Sequence, residues 1–124
     1  MRIVLVNYLP EVRKVLTEQF LAPAGIDVAG EAGDPEEARR VVARLLPDAV
    51  VVAHLLPEPV GAALVAQFRE RYPGMAGVLY STLPAEEMEG QHLLADAFVE
   101  TGDLRHLPAI IGRAVDAVRS SGRP

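Results

Sequence analysis

The stretch Pro47-Asp48-Ala49-Val50-Val51-Val52-Ala53-His54 decides the fold. From Ala49 to Ala53 the residues are apolar without interruption. A surface-facing strand would alternate apolar and polar, so a short continuous run reads as a strand buried on both faces, as in a parallel sheet. Three further runs share this character: Ile3-Val4-Leu5-Val6, Gly77-Val78-Leu79-Tyr80 and Ala97-Phe98-Val99. A fifth, Ile26-Asp27-Val28-Ala29-Gly30, is weaker and alternates, as an edge strand would.

Between these runs the apolar residues recur at helical spacing. Val12, Val15, Leu16 and Phe20 follow Pro10, and Ala38, Val41, Val42 and Leu45 form a second set. The second helix has a full start signal: Asp34 at the N-cap, Pro35 at the first helical position and Glu37 three residues after the cap. Pro47 closes it. Leu64, Val65 and Phe68 mark a third helix, stopped by Tyr72-Pro73-Gly74. A fourth is expected from Pro84 to Leu94, although Gly90 lies inside it, and a fifth carries Leu107, Ile110, Ile111, Ala114, Val115 and Val118. The order βαβαβαβαβα predicts an α/β domain, a (βα)5 doubly wound parallel sheet with helices on both faces. Residues 1–119 are expected to form this domain, with 120–124 a flexible C-terminal tail.

The chain has 124 residues, enough for one domain with a proper core. It has no cysteine, which excludes disulfides, thiol catalysis and cysteine-bound metal. Twelve basic against seventeen acidic residues leave a net charge of −5. That balance argues against nucleic-acid binding, which needs a surplus of Lys and Arg to neutralise phosphates. The first apolar run, Ile3 to Val6, is far too short for a signal-peptide core or a membrane span. A cytoplasmic location away from membranes is therefore expected.

Four pieces of the sequence, in order, resemble the receiver domain of bacterial two-component response regulators. Leu5-Val6-Asn7-Tyr8-Leu9-Pro10-Glu11-Val12-Arg13 has the outline of that family's Leu-Val-Asp-Asp-x-Pro-x-Val-Arg. Val28 to Ala38 is similar to its second strand and the start of its second helix. Pro47 to Val52 is similar to its third strand, with Pro57 and Gly61 where the family has Pro and Gly after the phosphoacceptor. Ala95-Asp96-Ala97-Phe98-Val99 corresponds to the family's Ala-Asp-Gly-Tyr-Leu. The resemblance implies a flavodoxin-like fold with strand order 2-1-3-4-5, and a ligand site at the carboxyl ends of the strands.

It also implies a chemistry, phosphoryl transfer to an aspartate with Mg²⁺. In the family, two acids after the first strand and the acceptor Asp after the third hold the metal. A Ser or Thr after the fourth strand and a Lys after the fifth bind the phosphoryl oxygens. Here Asn7 and Tyr8 stand at the acidic pair, Ala53 at the acceptor and Thr101 at the lysine. Only Ser81 keeps a compatible hydroxyl. The register rests on Ala53 lying four residues before Pro57, the family's spacing. Mg²⁺ asks for hard anionic oxygens, and a transferred phosphoryl group for cations around it. Mg²⁺ binding is therefore not expected, no other cofactor is expected, and alanine offers no nucleophile.

Other chemistry is weighed against plain structural roles. His54 can be read as a phosphoacceptor, base or metal ligand, but no acidic motif accompanies it, and packing beneath the adjacent loop is the simpler reading. His92 and His106 read as surface or boundary residues. Ser81-Thr82 lacks the glycine-flanked elbow of a serine nucleophile, and no glycine-rich phosphate loop is present. Tyr8 is expected to fill the pocket left by the acids, with a surface contact to a partner as the alternative. Phe98 matches the family's switch aromatic.

These residues describe a pseudo-receiver: a signalling domain that works without Asp phosphorylation and is not an enzyme. Its expected partner is another protein, or a second copy in a homodimer, met through the face made by helix 4, strand 5 and helix 5. The alternative is a sensor holding a small ligand at Tyr8, Asn7, Ser81 and His54.

Overall fold

The computed structural model describes residues 1–121. Five strands, β1 (Arg2–Val6), β2 (Asp27–Ala32), β3 (Ala49–Ala53), β4 (Ala76–Ser81) and β5 (Ala97–Glu100), pair in parallel in the order β2-β1-β3-β4-β5. The uninterrupted apolar run of β3 has its reason in this order. β3 is central, and all five of its residues are buried.

Alternate residues of each strand feed separate cores. Ile3, Leu5, Ala49, Val51, Val78 and Tyr80 pack on one face with the first and last helices. Val4, Val6, Val50, Val52 and Leu79 pack on the other with the second and third helices. That two-sided burial is the doubly wound arrangement.

The first helix, α1 (Pro10–Val15), does not stay α-helical. It passes into a π-helical segment, Leu16–Leu21, and a 3₁₀ turn, Ala22–Ala24, before Gly25 turns the chain at φ +80°. The widened segment still buries Leu16 and Leu21 in the core. α2 (Pro35–Leu45) starts as expected: the Asp34 carboxylate accepts the Glu37 backbone N–H at 2.8 Å. Glu37 reaches back to the Gly33 N–H at 2.7 Å, so two backbone donors at the helix start are satisfied by side chains. α3 spans Gly61–Arg71 and α4 spans Leu107–Ser120.

Two expectations need correction. The helix expected from Pro84 to Leu94 is absent. Two 3₁₀ turns, Ala85–Glu87 and Gln91–Leu94, replace it. Glu89 and Gly90 both take positive φ, +53° and +81°, which no right-handed helix can contain. Buried Met88 pins this segment to the core. The edge strand runs later than expected, Asp27–Ala32 rather than Ile26–Gly30, with an irregularity in its register where β1 passes from Ile3 to Val4. Of the tail expected at 120–124, Ser120 is the last residue of α4, and the Ser121 hydroxyl donates to the Val118 carbonyl at 2.8 Å. The rest of that expectation, 122–124, lies outside the described residues.

Among the described residues no helix is long and apolar enough to cross a membrane.

Candidate functional site

In a parallel sheet every strand ends at the same edge, so residues far apart in sequence meet there. β1, β3 and β4 deliver Asn7 and Tyr8, Ala53 and His54, and Ser81 and Thr82 to one cleft of about 260 Å³. β5 delivers Thr101, the first residue of a 3₁₀ turn (Thr101–His106) leading into α4. Leu9 and Val12, from the start of α1, Leu55 and Tyr80 complete the lining.

All five residues expected at the family's phosphorylation positions, Asn7, Tyr8, Ala53, Ser81 and Thr101, therefore line a single cleft. Phe98 does not. It is half-buried on β5, packs into the core on the α2–α3 face, and its ring centroid lies 5.7 Å from that of His92.

Asn7 is held on three sides. Its side-chain Nδ2 donates to the Tyr80 hydroxyl at 2.8 Å, and its Oδ1 accepts the Leu9 N–H at 2.9 Å. Its backbone carbonyl accepts from the Arg13 guanidinium. Arg13 is also paired with Glu31, Nε to Oε1 at 2.9 Å, which ties α1 to the end of β2. Ser81 Oγ accepts the Leu83 N–H at 3.0 Å, a tight local turn at the end of β4. Ala53 is 6% exposed and presents only its methyl group.

Tyr8 does not fill the space the family gives to acids. Tyr8 is 52% exposed and stands at the cleft's rim beside Leu55, itself 59% exposed. The two continue into a shallow depression with Leu56 and Pro57.

Among the described residues, no Asp, Glu, Lys or Arg lines the cleft. Its titratable members are His54 and two tyrosines. His54 is buried, its Nδ1 has no hydrogen-bond partner among the described residues, and burial pushes its pKa below the usual imidazole value. The imidazole is thus neutral at pH 7. Burial pushes Tyr80 up to about 12, against the smaller opposite effects of the Asn7 hydrogen bond and the Arg13 charge.

Tyr80 is the residue that the sequence did not single out. It reads as the last apolar residue of a buried strand. Its position one residue before Ser81 puts it on the same face of the sheet as Ala53, with its hydroxyl under Asn7. A polar-tipped aromatic at the carboxyl end of a central strand is the signal that could have found it.

Asp48, at the start of β3, lies at the other edge of the sheet. It accepts the Arg2 backbone N–H at 2.7 Å and pairs with Arg119 of α4. It is a structural clamp far from the cleft.

No family model matches the chain. Among curated proteins it is 32% identical over 109 residues, 86% of its own length, to the protein-glutamate methylesterase/protein-glutamine glutaminase 4 of Geobacter metallireducens. The chain spans about a third of the length of the curated relatives it matches, 30% and 33%. Among solved structures it superposes on the signal receiver domain of the response regulator NarL from Mycobacterium tuberculosis with a TM-score of 0.78 at 25% identity, covering 98% and 97% of the two chains. A CheY-like receiver domain protein from Methanospirillum hungatei gives a TM-score of 0.82 at 21% identity, covering 98% of both. With strand order, helix placement and superposition in agreement, the chain has the fold of response-regulator receiver domains and is similar to them.

Proposed function

We propose that this receiver domain transmits its signal without phosphorylation of an aspartate and without Mg²⁺. The fold carries the coarser statement, a role in signal transduction. The finer one is supported by the cleft, whose lining has no carboxylate and no fixed cation. A hard divalent cation needs anionic oxygens. The oxygen that Asn7 offers is neutral and already accepts the Leu9 N–H. The residues present do not fit the metal, and a phosphoryl group would meet neither a nucleophile at Ala53 nor a cation at Thr101.

The output in this reading is a protein contact, with a partner or a second copy of the chain. The expected surface changes with the fold. Its helix 4 is replaced by the 3₁₀ turns before β5, which leave Leu93 73% and Leu94 42% exposed beside β5 and α3. An acidic chain is a poor match for nucleic acid, and a protein is the fitting partner.

The domain is not itself an esterase in this reading. Ser81 and Thr82 are the hydroxyl residues at the end of β4, and the Ser81 oxygen is engaged by the Leu83 N–H rather than by a base. The methylesterase relatives are about three times longer than the matched segment, so their activity need not reside in this part.

Incubation with acetyl phosphate and Mg²⁺ followed by intact-mass measurement tests the proposal. The expected result is an unchanged mass. A hydroxylamine-labile phosphoryl adduct would overturn it.

A further inference from the structure

Resting on that reading, we propose that the cleft at the carboxyl edge of the sheet binds a small uncharged aromatic or alicyclic molecule that carries a hydrogen-bond acceptor. Such a ligand would act where relatives receive a phosphoryl group.

The electrical character of the site selects against ions. Among the described residues the walls hold no Asp, Glu, Lys or Arg. His54 is buried and held in its neutral form by burial. Arg13, whose charge reaches Tyr80, is already held by the Asn7 carbonyl and Glu31 and does not line the cleft, so a charged ligand would lose its water without a free counter-charge, whereas an uncharged one would not incur that penalty.

The shape and composition select for an apolar body. Leu9, Val12, Ala53, Leu55 and the rings of Tyr8 and Tyr80 line it, and most of the lining is apolar. About 260 Å³ lies just below the range of drug-sized ligand pockets, which start around 300 Å³, and suits a one-ring compound. Tyr8 and Leu55 stand at the rim more than half exposed. Covering them would remove apolar surface from water, a favourable term independent of the interior.

One donor waits inside. The Tyr80 hydroxyl is buried and accepts from Asn7 Nδ2 at 2.8 Å. Its own hydrogen has no acceptor among the described residues. A phenol hydrogen in that state is a directed donor, and it can serve a carbonyl or ether oxygen on the ligand.

Amide NMR of the chain during titration with acetophenone, ethylbenzene, benzoate and phenyl phosphate tests this. Acetophenone should shift the amides of Asn7, Ala53, Ser81 and Thr101 saturably, with a Kd on the order of 1 mM for so small a compound. Benzoate and phenyl phosphate should bind at least about tenfold more weakly. Tyr80→Phe should weaken acetophenone about tenfold and leave ethylbenzene unchanged, since only the former uses the hydroxyl. Leu55→Lys, at an exposed position, should weaken both without lowering the melting temperature. Silence of all four amides to both neutral probes, or equal binding of benzoate, would overturn the inference. Mg²⁺ shifting the same amides would instead overturn the proposed function.

Discussion

Asn7 Nδ2 donates to the Tyr80 hydroxyl at 2.8 Å, joining residues 73 positions apart in sequence. The bond ties the end of β1 to the end of β4 beneath the cleft, across the intervening β3. Both partners are buried, so each would be costly to leave alone. Asn7→Ala also strands the Leu9 N–H. It should cost about 2 kcal/mol in urea unfolding, and Tyr80→Phe about 1 kcal/mol. A double-mutant cycle should show coupling between the two, and strict additivity would mean the bond contributes nothing.

The same phenol makes stability sensitive to alkali. Burial raises the Tyr80 pKa from about 10 in the unfolded chain to about 12. A raised folded pKa means the folded state holds the proton longer. The contribution is intact below pH 10 and is lost as pH rises through 12, amounting to roughly 3 kcal/mol. The wild type should lose stability steeply between pH 10 and 12, and Tyr80→Phe should decline less over the same range. Parallel declines would show that this hydroxyl titrates alike in both states.

The loop after β3 is closed by contact between main chains. A Cβ on Gly61 would lie 2.0 Å from the Ala53 carbonyl oxygen, and the Gly61 N–H donates to the His54 carbonyl at 2.8 Å. Neither backbone can give way without moving the strand end or the start of α3. Gly61→Ala should cost about 3 kcal/mol or more in thermal unfolding. A variant as stable as wild type would mean that α3 starts elsewhere.

Restoring the acceptor alone should not restore the chemistry. Ala53→Asp places a carboxylate at a position 6% exposed, among apolar walls with no cation lining them. It should destabilise the fold by about 1–3 kcal/mol at pH 7, less at pH 4 where the acid is protonated. Acetyl phosphate with Mg²⁺ should still leave its mass unchanged. Labelling should require Asn7→Asp, Tyr8→Asp and Thr101→Lys in the same chain. Phosphorylation of the single variant would show that the neighbours matter less than their charges imply.

The parts of the molecule that were legible from sequence are those where burial alone dictates residue type. Ala49 to Ala53 reads as a strand buried on both faces, and Asp34-Pro35-Glu36-Glu37 carries a full helix start signal. The parts that were not legible depend on backbone conformation that several sequences tolerate. The π-helical widening at Leu16–Leu21 leaves the apolar spacing almost intact, so it has no signature. Pro84 to Leu94 has enough helix formers to suggest a helix, and only the reversal at Glu89-Gly90 denies it. The cleft's outline was legible because strand ends converge in any parallel sheet. What Tyr8 does there was not, since exposure at a rim and burial in a pocket call for the same aromatic residue. Tyr80 was hidden by its double character, apolar ring in the core and hydroxyl in the site.

The central claim is that this cleft has no use for Mg²⁺ or a phosphoryl group, and amide NMR tests it most directly. The chain is titrated with Mg²⁺ to millimolar concentration, then with beryllofluoride, which mimics a phosphorylated aspartate. The account predicts that the amides of Asn7, Ala53, Ser81 and Thr101 stay where they are. Saturable movement of those amides would contradict it and return phosphorylation to this domain.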